Sequence, residues 1–288
     1  MIAQQYELPT GLTLAGFSLA PWQDNKPVVL CTHGWLDNAN TWLPLFLELE
    51  QCAWTSNYNW LAIDFAGHGD STHRSADAHY HHTDYVFDLY ALIQSQQWQS
   101  VILLGHSMGG IVSSSLASVL SQNIQQLICI EAMGPLSGTE KTTVEQMQNA
   151  FSSRMSVYQK TIKQPSDWEA LIKAKQHAGG LNESHAAIIM ERNVNLSHTG
   201  ITWKTDPRLR TQSTLRFTHE QARKIMQSIS CPVTLIMGQD GFERVATQAT
   251  SRKSWLSHFD SVSLPGNHYV HMQQPEALVK ILEKLIES

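Results

Sequence analysis

Short apolar runs alternate along the chain with segments whose apolar residues recur at helical spacing. Leu12–Ser18, Val28–Thr32, Trp60–Asp64, Val101–Leu104, Leu127–Ile130, Val233–Met237 and Ser261–Leu264 read as strands. Trp42–Leu49, Tyr85–Gln97, Gly109–Leu120 and Pro275–Ile286 read as helices. In the second of these, Val86, Leu89, Ile93 and Trp98 fall near one face. The strand runs are apolar on both faces and separated by helices, which predicts an α/β fold: a mostly parallel sheet covered on both sides. Residues 134–230 contain no clear buried strand and are too long for an ordinary connection. They are expected to form a helical cap, with helices at Val144–Tyr158 and Trp168–His177, inserted into a core of residues 1–133 and 231–288.

A chain of 288 residues can bury one large core with a smaller insertion. Hydrophobic residues at 42% and charged residues at 16% place it among ordered globular proteins. The formal net charge of −5, without a basic run, provides no electrostatic reason to bind nucleic acid or anionic lipid. The start, MIAQQYELPTGLTLAGFSLAP, lacks the features of a secretory signal, and no apolar stretch reaches membrane-spanning length. A cytoplasmic protein acting on a small molecule is expected. The four cysteines form no C-x-x-C pair and read as reduced thiols, three of them beside apolar runs. His79, His81, His82 and Asp84 have the wrong spacing for a metal-hydrolase loop and read as a solvated approach to the Tyr85 helix.

The chemistry is concentrated at Gly105-His106-Ser107-Met108-Gly109-Gly110. This is G-x-S-x-G between a strand and a helix, the context in which the pattern carries a nucleophile. The turn is sharp, and a Cβ at either flanking glycine would collide with the neighbouring strand and helix. Such a turn lifts the Ser107 hydroxyl out of the sheet. It also places the Met108 N–H at a helix N-terminus, where it can face a developing oxyanion.

Two further stretches make the pattern specific. Thr32-His33-Gly34-Trp35 follows the second strand, and Asp64-Phe65-Ala66-Gly67-His68-Gly69-Asp70-Ser71 follows the next. With the serine turn, they resemble the lid-bearing members of the α/β-hydrolase superfamily over nearly the whole chain apart from the cap. The loop His33-Gly34-Trp35-Leu36-Asp37-Asn38-Ala39 is similar to that of the serine hydrolase-like proteins. The resemblance implies an α/β-hydrolase fold and a serine hydrolase acting on a carboxylic ester through an acyl-enzyme, with no metal or cofactor.

It also implies roles for individual residues. His268, in Leu264-Pro265-Gly266-Asn267-His268 after the last strand, stands where the superfamily keeps its base. Asp240, in the loop after Val233–Met237, is the leading acid, in the chain order Ser107, Asp240, His268. The loop departs from the family in having one residue between Gly238 and Asp240, where two are usual. Glu243 and Glu131 therefore stand as alternatives, Glu131 at the strand end where certain haloalkane dehalogenases carry the acid. Trp35 is implied as the second oxyanion donor beside Met108. His33 is expected to hold its loop and, with His106, to border the substrate; His271 is expected to line the site or face solvent. Serine at position 107 argues against dehalogenase and epoxide-hydrolase chemistry. It leaves open amidase, lactonase, thioesterase, carbon–carbon hydrolase and cofactor-free haloperoxidase activity, or a ligand-binding protein on the same scaffold.

Overall fold

The computed structural model describes residues 1–161, 163–198 and 200–287. The central sheet is built from β1 (Ile2–Glu7), β2 (Thr13–Ser18), β3 (Val28–Thr32), β4 (Asn59–Ile63), β5 (Val101–His106) and β6 (Ile124–Ile130). After a long insertion it is completed by β11 (Val233–Asp240) and β12 (Phe259–Asn267). The strand order is β1-β2-β4-β3-β5-β6-β11-β12. The pairings β1 with β2 and β2 with β4 are antiparallel, and the others are parallel. β1 has no counterpart in the sequence expectation. It reads IAQQYE and buries only Tyr6, as an edge strand can, so it shows no apolar run.

Alternate residues of the central strands feed two cores, as the two-residue period of a strand requires. Leu30, Leu61, Leu103 and Leu127 pack on one face against α2 (His82–Ser95), α3 (Met108–Val119), α7 (His219–Gln227) and α8 (Glu243–Arg252). Cys31, Ala62, Leu104 and Ile128 pack on the other against α1 (Leu43–Leu49), α9 (Val270–Gln273) and α10 (Pro275–Ile286). Each fully buried leucine contributes about 1.5–3 kcal/mol of transfer free energy.

The insertion contains α4 (Thr143–Gln159), α5 (Trp168–Gly179) and α6 (Glu183–Asn193). It also carries the hairpin β8 (Val194–Ser197) and β9 (Gly200–Trp203), and a short pair, β7 (Ser137–Gly138) with β10 (Phe217–Thr218). This is the segment, residues 134–230, expected to form a helical cap. Its last helix, α7, lies on the sheet domain, where Met226 and Ile229 join the core shared with α3. The hairpin was also not foreseen, because its residues are mostly exposed and form no apolar run. The cap's own apolar cluster includes Ile172, Ile189 and Met190, and it is completed by Tyr269 and Met272 from the core. Arg192 of α6 adds polar contacts, binding Asp64 at 2.8 Å and Asp70 at 3.0 Å. The cap thus sits over the carboxyl ends of the strands, where open α/β sheets bind their ligands. Among the described residues no helix is long and apolar enough to cross a membrane.

Candidate active site

Ser107 stands between β5 and α3 with φ of +51°, a left-handed conformation that costs a non-glycine residue energy. Its N–H donates to the Ile130 carbonyl at 2.9 Å, which ties the turn to β6. A Cβ on Gly105 would lie 2.6 Å from the Gly109 backbone, and one on Gly109 would lie 2.3 Å from the Thr32 carbonyl oxygen. The strand and helix can approach this closely only with glycine on both sides of the serine. Gly109→Ala is expected to cost about 2–3 kcal/mol by overpacking, read as a lower thermal midpoint.

Ser107 opens into a cavity of about 740 Å³ between the cap and the strand ends. His268, directly after β12, lines the same cavity. Its Nδ1 lies 3.2 Å from Oε2 of Glu131, and the Glu131 side chain is almost fully buried. An Nδ1–H donated to that carboxylate leaves Nε2 as the basic atom. Among the described residues the Ser107 hydroxyl makes no hydrogen bond to this imidazole; such bonds are often long before substrate arrives. The His268 ring is also held by Phe242, stacked at 4.0 Å, and the His268 carbonyl accepts the Nε2–H of His106 at 2.9 Å.

The carboxylate at His268 is not the Asp240 expected from the chain order. Asp240 is exposed on the cavity wall, and the carboxylate that meets His268 is that of Glu131. The short loop explains the difference. The Gly241 N–H donates to the Gly238 carbonyl at 3.0 Å, turning the chain back on itself. The Gly238 N–H and Phe242 N–H then both donate to Glu131, at 2.8 and 3.0 Å. A Cβ on Gly241 would lie 2.2 Å from the Glu131 carboxylate, so the loop is wrapped around that side chain. Glu131 itself has φ of +52°, a second strained residue at the strand ends. Glu243, the other alternative, begins α8 and is exposed.

Trp35 and Met108 are the residues expected to supply oxyanion donors. Trp35 and Ser107 line the same cavity, and the half-exposed Trp35 indole donates to the Leu209 carbonyl of the cap at 2.9 Å. Met108 is the first residue of α3, so its N–H has no partner within the helix. His33 and His106, expected to border the substrate, are both fully buried, and neither lines the cavity. His33 accepts the Phe65 N–H at Nε2 and donates from Nδ1 to the Gly34 carbonyl, so it holds the loop. Burial lowers its pKa, with Asp64 pulling the other way. Burial, reinforced by the nearby His268, pushes His106 down to about 3. His271 is buried as well, and its Nε2 meets the Thr41 hydroxyl at 2.7 Å.

The sequence reading missed three residues at this site. Asp37, Lys175 and Tyr269 meet at the cavity wall. No motif marks them as a group, because they come from a loop, the cap and the turn after His268.

The family model for the alpha/beta hydrolase fold matches residues 27–275. The chain belongs to the α/β-hydrolase family. Curated relatives include a serine hydrolase-like protein of Dictyostelium discoideum, 25% identical over 97% of this chain and 80% of its own length. Serine hydrolase-like protein 2 of Homo sapiens is 26% identical over 91% of this chain and 87% of its own. Among solved structures, a hypothetical protein of Pseudomonas aeruginosa PAO1 is 29% identical with a TM-score of 0.89, each chain fully covered. The thioesterase domain of the curacin biosynthetic pathway is 26% identical with a TM-score of 0.79 and 98% of each chain covered. Together these matches support a hydrolase.

Proposed function

We propose that the protein is a serine hydrolase that cleaves a carboxylic ester or related acyl bond through Ser107, His268 and Glu131. The observation that carries this reading is the Nδ1 of His268 on the buried Glu131 carboxylate, in the cavity that Ser107 lines. His268 Nε2 takes the Ser107 proton as the oxygen attacks the substrate carbonyl. As the Ser107 O–C bond forms, the carbonyl π pair moves onto the substrate's carbonyl oxygen, and that negative charge rests on the Met108 and Trp35 amides. Glu131 stabilises the imidazolium and fixes its tautomer, and its three hydrogen bonds keep it in place. The leaving alcohol or thiol takes the proton from His268. Water then repeats the sequence on the acyl-enzyme, and the acid product departs.

A fluorophosphonate probe and p-nitrophenyl butyrate test the reading on the wild-type protein. Labelling at Ser107 together with turnover supports it. A wild type that does neither overturns it in favour of a ligand-binding protein on this scaffold.

The cavity supports acyl groups longer than acetyl. Leu171, Ala174 and Ala178 of α5 line it on one helical face, joined by Met190 and Trp203. Ala178→Trp is expected to lower kcat/KM for p-nitrophenyl hexanoate about tenfold or more relative to the acetate, since lost apolar contact of this size discriminates on that scale. An unchanged ratio in steady-state assays across the acyl series would place the acyl chain elsewhere.

A further inference from the structure

Asp37 is a buried anion in an unfavourable place. It belongs to the loop after β3, and its N–H closes a turn on the Gly34 carbonyl at 3.1 Å. Its side chain is 1% exposed. Its Oδ2 would lie 2.8 Å from a Cβ on Gly34, so the carboxylate rests against the backbone that presents the Trp35 amide. An uncompensated negative charge there opposes the charge that builds up on the substrate oxygen.

The compensation comes from the cap. Lys175 Nζ binds Asp37 Oδ1 and donates to the Tyr269 hydroxyl oxygen at 3.2 Å, while the Tyr269 O–H donates to the same Oδ1 at 3.1 Å. The helical phase of α5 puts Lys175 on the cavity face with Leu171, Ala174 and Ala178. Three histidines also lie near Asp37, and burial holds one of them, His68, neutral. His33 keeps both ring nitrogens on backbone groups. His106 has its Nδ1 3.9 Å from Oδ2, but its proton is on Nε2, committed to the His268 carbonyl, and burial keeps the ring neutral. Lys175 is therefore the cation that offsets Asp37. Burial, the largest influence, works to raise the Asp37 pKa; Lys175, with His106 and His33, pulls the other way, and together they hold the carboxyl below its usual value. The same loop is pinned to α6 by Asn38, which donates to Ile189 and Asn193, and by Asn40, which donates to Ile188.

We propose that Lys175 is a positioning residue, acting through Asp37: the seated cap neutralises the carboxylate beside the oxyanion loop and so makes Ser107 competent. This rests on the serine-hydrolase reading above. It makes catalysis depend on the cap through one ion pair, in addition to the cap's role in shaping the cavity.

The test is steady-state turnover of p-nitrophenyl butyrate by wild type, Lys175→Met, Lys175→Arg, Asp37→Asn and the Lys175→Met/Asp37→Asn double variant. Each is assayed below its own melting onset by circular dichroism. Lys175→Met is expected to lose about 30-fold in kcat with KM changed less than about threefold, and Lys175→Arg to retain most activity. The double variant, with neither charge, should recover to within about threefold of wild type. A folded double variant as slow as Lys175→Met, or a fully active Lys175→Met, overturns the proposal. A wild type that neither labels nor turns over overturns the hydrolase reading and this assignment with it, a pattern distinct from an active wild type whose double variant stays slow.

Discussion

Ser107→Ala is expected to abolish fluorophosphonate labelling and to lower p-nitrophenyl ester turnover by roughly 10³-fold or more. His268→Ala should lower turnover by a similar factor, and the double variant should be little worse than either, because nucleophile and base act as one unit. Neither change should disturb the fold. The Ser107 turn is tied by its backbone N–H to the Ile130 carbonyl, and the backbone carbonyl of residue 268, which alanine keeps, still accepts the His106 Nε2–H. The measurement is kcat/KM for each variant against wild type, with thermal midpoints as the control. Near-normal turnover in either single variant would remove the proposed site.

The second large effect separates two carboxylates. Glu131→Gln is expected to lower kcat by about 10²–10⁴, as amide substitution of the acid does where it allows the wrong imidazole tautomer. The amide would face His268 Nδ1 and the N–H groups of Gly238 and Phe242, three positions that call for an acceptor. Asp240→Asn, at an exposed carboxylate on the cavity wall, is expected to change kcat less than about threefold. Steady-state assays of both variants against wild type decide the matter. A larger loss in Asp240→Asn would mean that the acid loop rearranges when substrate binds.

The contrast between these residues shows how much of the site could be read from the chain. Ser107 was legible because everything its turn requires lies within six residues: an apolar strand, two glycines without room for a Cβ, and a helix start. His268 was singled out by the resemblance to the superfamily, which keeps its base between the last strand and the closing helix, and those two elements bracket it here. The acid was legible only as a set of alternatives. Its choice depends on the path of residues 238–242, and that path turns on the contact of Gly241 with a carboxylate more than a hundred residues earlier in the chain. His106 adjoins Ser107 in the chain and His33 follows the neighbouring strand β3, but chain position does not say which side of a strand end is wet.

By itself the sequence determined the doubly covered, mostly parallel sheet, the long insertion after β6 and the serine turn, because each follows from local periodicity or local sterics. Tertiary structure decided which carboxylate meets the imidazole, that α7 packs on the sheet's core, and that Lys175 reaches Asp37 across 138 positions of chain. Those outcomes depend on desolvated charges finding partners across separate elements, and a buried carboxylate accepts whatever donors the packed fold brings to it.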